Sequence, residues 1–334
     1  MDTALALLTQ GEEITPGDHL SVVADGNETG GASFIEANTI PVAQKEVQEK
    51  HIIPVFSKDN ETLISHIDFI ELVQEVAMAR FKSERLLDPT IRVSHPVKGR
   101  IPEARNRPVN ELQEWEKTLY YERMAFMIEI PTINDQIEGQ NVCLTVGGVK
   151  SYSEDRLGGK KGSSEHFKFF IGFRVKCCLN LCVWTDGLVS SLGVRSIDEL
   201  KESVESVFQE YDAIRDLNVM AKLQDYSLTE TQFATLLGKA KMYHHLSARE
   251  RESLPEMLFG DNHINSICKD YHTDSNFSRL ENGSLSLWRL YNLFTAANKS
   301  SYIDSFLSRS ANASSFVDQL AYSLETHSFN WYIG

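Results

Sequence analysis

Positive charge is scarce in this chain. Its 334 residues hold 33 Lys and Arg against 47 Asp and Glu, a formal net charge of −14. The overall field repels polyanions and argues against unassisted, non-specific binding to nucleic acid or anionic lipid. Long apolar runs are missing too. No stretch reaches the roughly 18–20 residues that a membrane helix needs, so no membrane partner is expected. The opening residues MDTALALLTQGEEITPGDHL carry no basic start and no small-residue cleavage site. No signal peptide is read there, and a cytoplasmic location is expected. Cysteine is sparse and odd in number: five, with Cys177 and Cys178 adjacent. That suits reduced thiols better than a disulfide framework. Of the nine prolines, four (Pro89, Pro96, Pro102 and Pro108) fall within 86–108. A long irregular loop or edge segment is expected there.

Catalytic signatures are also missing. The run GGKKGSS at 158–164 lacks the G-K-[ST] ending of a P-loop and precedes a strand-like segment, HFKFFIGF, where a P-loop needs a helix. It reads instead as the tip of a β-hairpin, with Gly158, Gly159 and Gly162 free to take positive φ. DELK at 198–201 sits on an amphipathic helix behind a capping residue, where a nuclease motif does not function. Cys178 and Cys182 have the spacing of one zinc knuckle, but a second knuckle is absent. His263, Cys268 and His272, with His244 and His245, offer scattered donors. His166 and Arg174 share a strand-like segment near the cysteines, the raw material of a Cys–His pair. None of these completes a site, so no catalytic residue, metal or cofactor is assigned.

What is present is patterning. Segment 51–57, HIIPVFS, reads as an edge strand. Ile67, Ile70, Val73, Val76, Ala77 and Phe81 fall at helical spacing behind a capping pair, Ser65 and Asp68. Segments 117–130, 140–153, 166–175 and 181–185 are rich in β-branched and aromatic residues, with no helix-length segment between them. That points to antiparallel strands rather than βαβ units. From 196 the pattern turns helical. Ser196 with Glu199 caps a helix running toward 223, and Ser227 with Glu230 caps the next. Further helices are expected at 261–272, 286–298 and 300–325. Asn298 closing one and Ser301 with Asp304 opening the other would make an αα-hairpin. The fold class expected is α+β, a central antiparallel sheet packed against a helical C-terminal half. Three regions follow: a flexible acidic N-terminal arm over 1–45, a β-rich core over 46–195, and a helical region over 196–334.

Charge is segregated along the chain. Residues 1–50 carry nine acids and two lysines, whereas 80–107 carry eight Lys/Arg against three acids and 150–176 carry seven against three. Two basic stretches on an acidic chain permit a local anion site. The residues expected to form it are Arg92, Lys98, Arg100, Arg105, Arg107, Arg156, Lys160, Lys161, Lys168 and Arg174. In HFKFFIGFR, Phe167, Phe169 and Phe173 alternate with Lys168 and Arg174, the composition of a single-strand-binding sheet. The competing expectation is that this Phe face is core, covered by the C-terminal helices.

At FKFFIGFRVKCCLNLCVWTDG and LWRLYNLFTAANKSSYIDSFLSRSANA, the sequence resembles a bacterial family called phage/plasmid-like proteins, a domain of unknown function, in its Bacteroidota-type branch. The likeness spans about 45–334. Its motif is an Arg-Val followed by Cys-x-Asn, here Arg174, Val175, Cys178 and Asn180, with one extra residue inside it; the family's His-Asp-Gly loop is absent. The resemblance implies carriage on mobile genetic elements and no particular activity. Two functions are expected from these readings. One is a mobile-element accessory protein that binds DNA, single-stranded included, during replication, recombination or transfer. The other is an anti-defence or host-interaction factor that binds protein instead.

Overall fold

The computed structural model describes residues 33–51, 63–155, 164–184 and 187–334. Its strands are β1 (Thr39–Val42), β2 (Thr90–Ser94), β3 (Val97–Arg100), β4 (Lys117–Tyr120), β5 (Arg123–Ile137), β6 (Gln140–Ser151), β7 (Glu165–Val175), β8 (Leu181–Cys182), β9 (Leu188–Val194), β10 (Ser227–Leu228) and β11 (Leu285–Ser286). Its helices are α1 (Gln44–Lys50), α2 (His66–Arg80), α3 (Ile197–Glu210), α4 (Ala213–Lys222), α5 (Glu230–Tyr243), α6 (Ala248–Arg251), α7 (Asp261–Thr273), α8 (Leu287–Asn298) and α9 (Ile303–Thr326). The architecture is α+β, an antiparallel sheet with a helical C-terminal half.

The main sheet runs β1-β2-β5-β6-β7-β8, with β9 also pairing β7, and every pairing is antiparallel. Both of its faces are buried. On one, Phe167, Phe169, Ile171, Phe173 and Val175 of β7 join Phe126, Ile128 and Ile130 of β5 in the large core shared with the helices. On the other, Phe170, Ala125, Met127 and Val149 pack with Ile303, Phe306 and Leu307 of α9 and with Phe34 and Ile35. Alternation along β7 therefore serves two cores, as strand geometry requires when both faces are covered. The Phe-rich face is core and is closed to nucleic-acid bases. Helix α2 sits directly on the sheet because Gly148 leaves room for it. A Cβ on Gly148 would lie 2.4 Å from the Phe69 ring.

Several local expectations hold. Ser65 accepts from the Asp68 amide in a full capping box, and Ser196 accepts from the Glu199 amide. Other local readings are corrected. The arm expected over 1–45 gives way by residue 34: Phe34 and Ile35 are buried and β1 joins the sheet. The remainder of the arm, residues 1–32, lies outside the described residues. So does the strand expected at 51–57, apart from His51, which bridges Leu119. The loop or edge segment expected over 86–108 contains β2, inside the main sheet between β1 and β5, and β3, paired with β4 alone; its prolines flank the strands or start 3₁₀ turns rather than falling within strands. The helix expected to run from 196 toward 223 is broken at Asp212, whose carboxylate accepts from the Ile214 and Arg215 amides and starts α4. Thr229 with Gln232, not Ser227 with Glu230, caps α5, because Ser227 is spent in β10. Asn298 lies inside α8, and α9 starts at Tyr302 without a side-chain cap.

Candidate functional site

Of the ten cationic residues expected to meet DNA, seven lie among the described residues, and five of those seven bond to groups within the chain. Arg156, Lys160 and Lys161 lie outside the described residues. Lys168, 13 % exposed at its side chain, is bonded to Glu154 at 2.7 Å and to the Asp304 carbonyl at 3.0 Å. Arg174, 11 % exposed, pairs with Glu129. Arg107 pairs with Glu116 at 2.5 Å. Arg92 donates to the Thr39 hydroxyl and carbonyl, both at 3.0 Å, and so fastens β1 to β2. Arg100 donates to the Arg107 carbonyl. Lys98 and Arg105 are exposed. Lys168, Arg174 and Arg107 are thus matched by acids, and Arg92 and Arg100 by a threonine and a backbone carbonyl.

The described part of the dense stretch 154–184 holds several structural ties. Lys150 is fully buried and donates to Asp155 at 2.6 Å and Glu165 at 2.7 Å, with its ammonium 3.9 Å from the Phe167 ring centre. The other oxygen of Asp155 accepts from the His166 amide at 2.7 Å, and that of Glu165 from the Ile64 amide at 3.0 Å. Beside it, His51 and His66 stack with ring centres 4.9 Å apart. Both lean on one residue: the Tyr121 amide donates to His51 Nδ1 at 3.1 Å, and His66 Nε2 lies 2.9 Å from the Tyr121 carbonyl. Burial pushes the His51 imidazole down to about 4 and His66 well below its ordinary range.

The motif residues join sheet to helices. Asn180 Nδ2 donates to the Asn292 carbonyl and side-chain oxygen of α8, at 3.0 and 3.2 Å. Lys299 donates to the Cys178 carbonyl. Burial pushes the Cys178 thiol up to about 12 and those of Cys143 and Cys182 upward, which keeps them protonated and poor as nucleophiles. His166 and these cysteines lie at opposite ends of β7, since Phe173 is the register partner of Cys182. Among the described residues, no group of three or more His, Cys, Asp or Glu is arranged to hold a metal ion. None of the described helices is long and apolar enough to cross a membrane.

A groove of about 490 Å³ opens at the C-terminal end, and it is the candidate site. Its construction begins where α9 stops. His327 caps the helix in the left-handed region, φ 53°, and turns the chain back along it. Asn330 then pegs the returning segment. Its side-chain oxygen accepts from the Tyr332 amide at 2.9 Å, and Nδ2 donates to Ser323 of α9 at 3.3 Å. Tyr332 is fully buried, donates to the Pro255 carbonyl at 2.8 Å and packs edge-on to Phe316. Lys239 of α5 donates to the Trp331 carbonyl at 2.5 Å, with its ammonium 5.2 Å from the Trp331 ring centre.

The groove between α9, this returning segment and Leu254–Pro255 is lined by Tyr322, Phe329 and Trp331, with Asp318 the one charged residue among the described residues lining it. Serines, Gln319 and Asn330 supply the remaining polar lining. Phe329 is 77 % and Tyr322 65 % exposed, although both flank a segment held by buried anchors. Asp318 is reached from behind by Trp184, whose indole N–H donates to Oδ2 at 2.9 Å. Burial pushes the Asp318 carboxyl up to about 6, the Trp184 bond opposing, and Asp216 of α4 is likewise raised to about 6. Nothing in the sequence pattern pointed to this groove. Its one visible signal was the aromatic closing run FNWYIG at 329–334, which no helical or strand period accounts for.

No curated protein matches the chain, and no solved structure matches it. A family model does, over residues 20–333: the chain belongs to the family described as "Domain of unknown function, B. Theta Gene description (DUF3871)".

Proposed function

We propose that this protein acts by binding another protein, taking a short segment of its partner into the C-terminal groove. The observation that carries the reading is the exposure of Phe329 and Tyr322 beside a formed cavity on a firmly anchored segment. Large rings on rigid backbone lose little entropy on contact, which is why aromatic residues dominate interface energetics. Carriage on a mobile element, which the resemblance to phage/plasmid-like proteins implies, fits a host-interaction or anti-defence role for such a surface. The test uses the intact chain as bait for a random peptide library. Selected peptides should bind the wild type and lose at least tenfold in affinity to Phe329→Ala/Tyr322→Ala. Peptides that ignore both substitutions would remove the groove from the reading.

A second reading retains DNA. Trp115 is 69 % exposed on the arm formed by β3, β4 and their connection, and Lys98 and Arg105 are exposed on the same arm. An open ring with cations nearby in sequence is the pattern for stacking a base and neutralising phosphate. Labelled single-stranded DNA titrated across a salt series decides this. Affinity that falls steeply with salt and drops in Trp115→Ala supports it, and absence of binding at low salt ends it.

A further inference from the structure

Asp318 is an anion with half a coordination. One oxygen, Oδ2, is fixed by the Trp184 indole at 2.9 Å. The other accepts from no described residue and is open to solvent where Asp318 lines the groove. Among the described residues, the groups around it supply no counter-charge. Trp184 is neutral, Tyr291 of α8 is held protonated by burial, and Asp216 of α4 adds negative field. Burial accordingly makes the carboxyl hard to ionise. A carboxylate taken partly out of water without a partner is costly, and a cation that reached it would recover that cost. The walls suit the same visitor. Tyr322 and Phe329 present open aromatic surface, and the Lys239 ammonium already rests over the Trp331 ring at 5.2 Å. Cations are attracted to ring faces, guanidinium especially.

We infer that the groove is an arginine-binding subsite: a guanidinium from the partner segment meets the free oxygen of Asp318, and its aliphatic stem lies against Tyr322 and Phe329. This rests on the protein-binding reading above and names the side chain that the segment must carry.

The test titrates the full chain with N-acetyl-arginine methylamide and with its neutral, isosteric citrulline counterpart. The indole N–H signals of Trp184 and Trp331 report binding. The arginine probe should shift both signals and bind at least tenfold more tightly than the citrulline probe. In Asp318→Asn, which keeps an oxygen for the Trp184 indole, that preference should vanish. An unshifted Trp184 indole in the probe-free variant confirms that the site is intact. Equal affinity of the two probes for the wild type overturns the inference, as does a preference that survives in Asp318→Asn. The two failures separate. Library peptides that need Phe329 and Tyr322 but show no arginine enrichment retain the partner reading and remove the subsite. Peptides indifferent to those rings, with the arginine probe still bound at Asp318, remove the partner reading alone.

Discussion

Two buried carboxylates flank Lys150 at the start of β7, and one half-buried carboxylate lines the groove beyond α9. At the first place all four carboxylate oxygens are matched, two by the lysine ammonium and two by the amides of Ile64 and His166. At the second, Asp318 has one indole donor among the described residues, and Asp216, whose field it shares, is another raised carboxyl. The completed network has nothing left to offer a ligand and fixes the position of α2 and the β6–β7 pair. The incomplete one bears a standing cost that a partner can relieve. Buried charge alone does not mark a functional site. Buried charge with an unmet bond in a groove is the better marker.

The comparison breaks most sharply at Lys150. Removing its ammonium in Lys150→Met leaves Asp155 and Glu165 facing each other without a counter-charge. Such a change costs about 3–5 kcal/mol, which urea denaturation would read as a large drop in midpoint. Adding Asp155→Asn and Glu165→Gln should recover most of the loss. If the single variant is as stable as the wild type, the cluster is not the tie described here.

Acid should distinguish the two regions next. His51 titrates at an ordinary 6.5 when unfolded and at about 4 when folded. The unfolded chain therefore takes up the proton first, and stability present above pH 6.5 is lost as pH falls toward 4. For His51 alone the loss approaches about 3 kcal/mol, and His66 adds to it in the same direction. The carboxyls run the other way. Asp318 moves from 3.8 unfolded to about 6 folded, so the folded chain takes up the proton first and gains stability between pH 6 and 4. Asp318→Asn should therefore stabilise the protein at pH 7 by about 2 kcal/mol and change little at pH 4. Thermal unfolding from pH 8 to 4 checks both signs. A variant that gains equally at pH 7 and pH 4 would refute the burial argument.

The two regions were not equally legible in sequence. Capping pairs are short-range, so Ser65 with Asp68 and Ser196 with Glu199 could be read directly, and β5, β6 and β7 announced themselves by composition. Strand β1 could not be read, since four residues, TIPV, carry no period and become a strand only in register with Ile91–Ser94. The basic residues misled for a related reason. Lys168 lies fourteen residues from Glu154, and Arg174 forty-five from Glu129; both pairs form only when β5, β6 and β7 are laid side by side. Counting charge along the chain shows supply, whereas pairing across the sheet shows what remains. The groove is harder still. It joins Trp184, Asp318 and Phe329 through a left-handed turn at His327 and a peg at Asn330, none of which has a linear signature.

The smallest expected effect on stability is the one that most sharpens the contrast. Phe329 is largely in water, so Phe329→Ala removes little buried area, and its effect should lie within about 0.5 kcal/mol. Tyr332, three residues on, is fully buried between Phe316 and Pro255, and Tyr332→Ala should cost several times more. A residue whose loss leaves the fold unchanged yet abolishes peptide capture is a binding residue. A residue whose loss weakens both is scaffold. Phe329 should fall in the first class and Tyr332 in the second, as read by paired unfolding and peptide-binding measurements. If Phe329→Ala unfolds the tail instead, the exposed ring is holding the groove together, and the surface assigned to the partner belongs to the core.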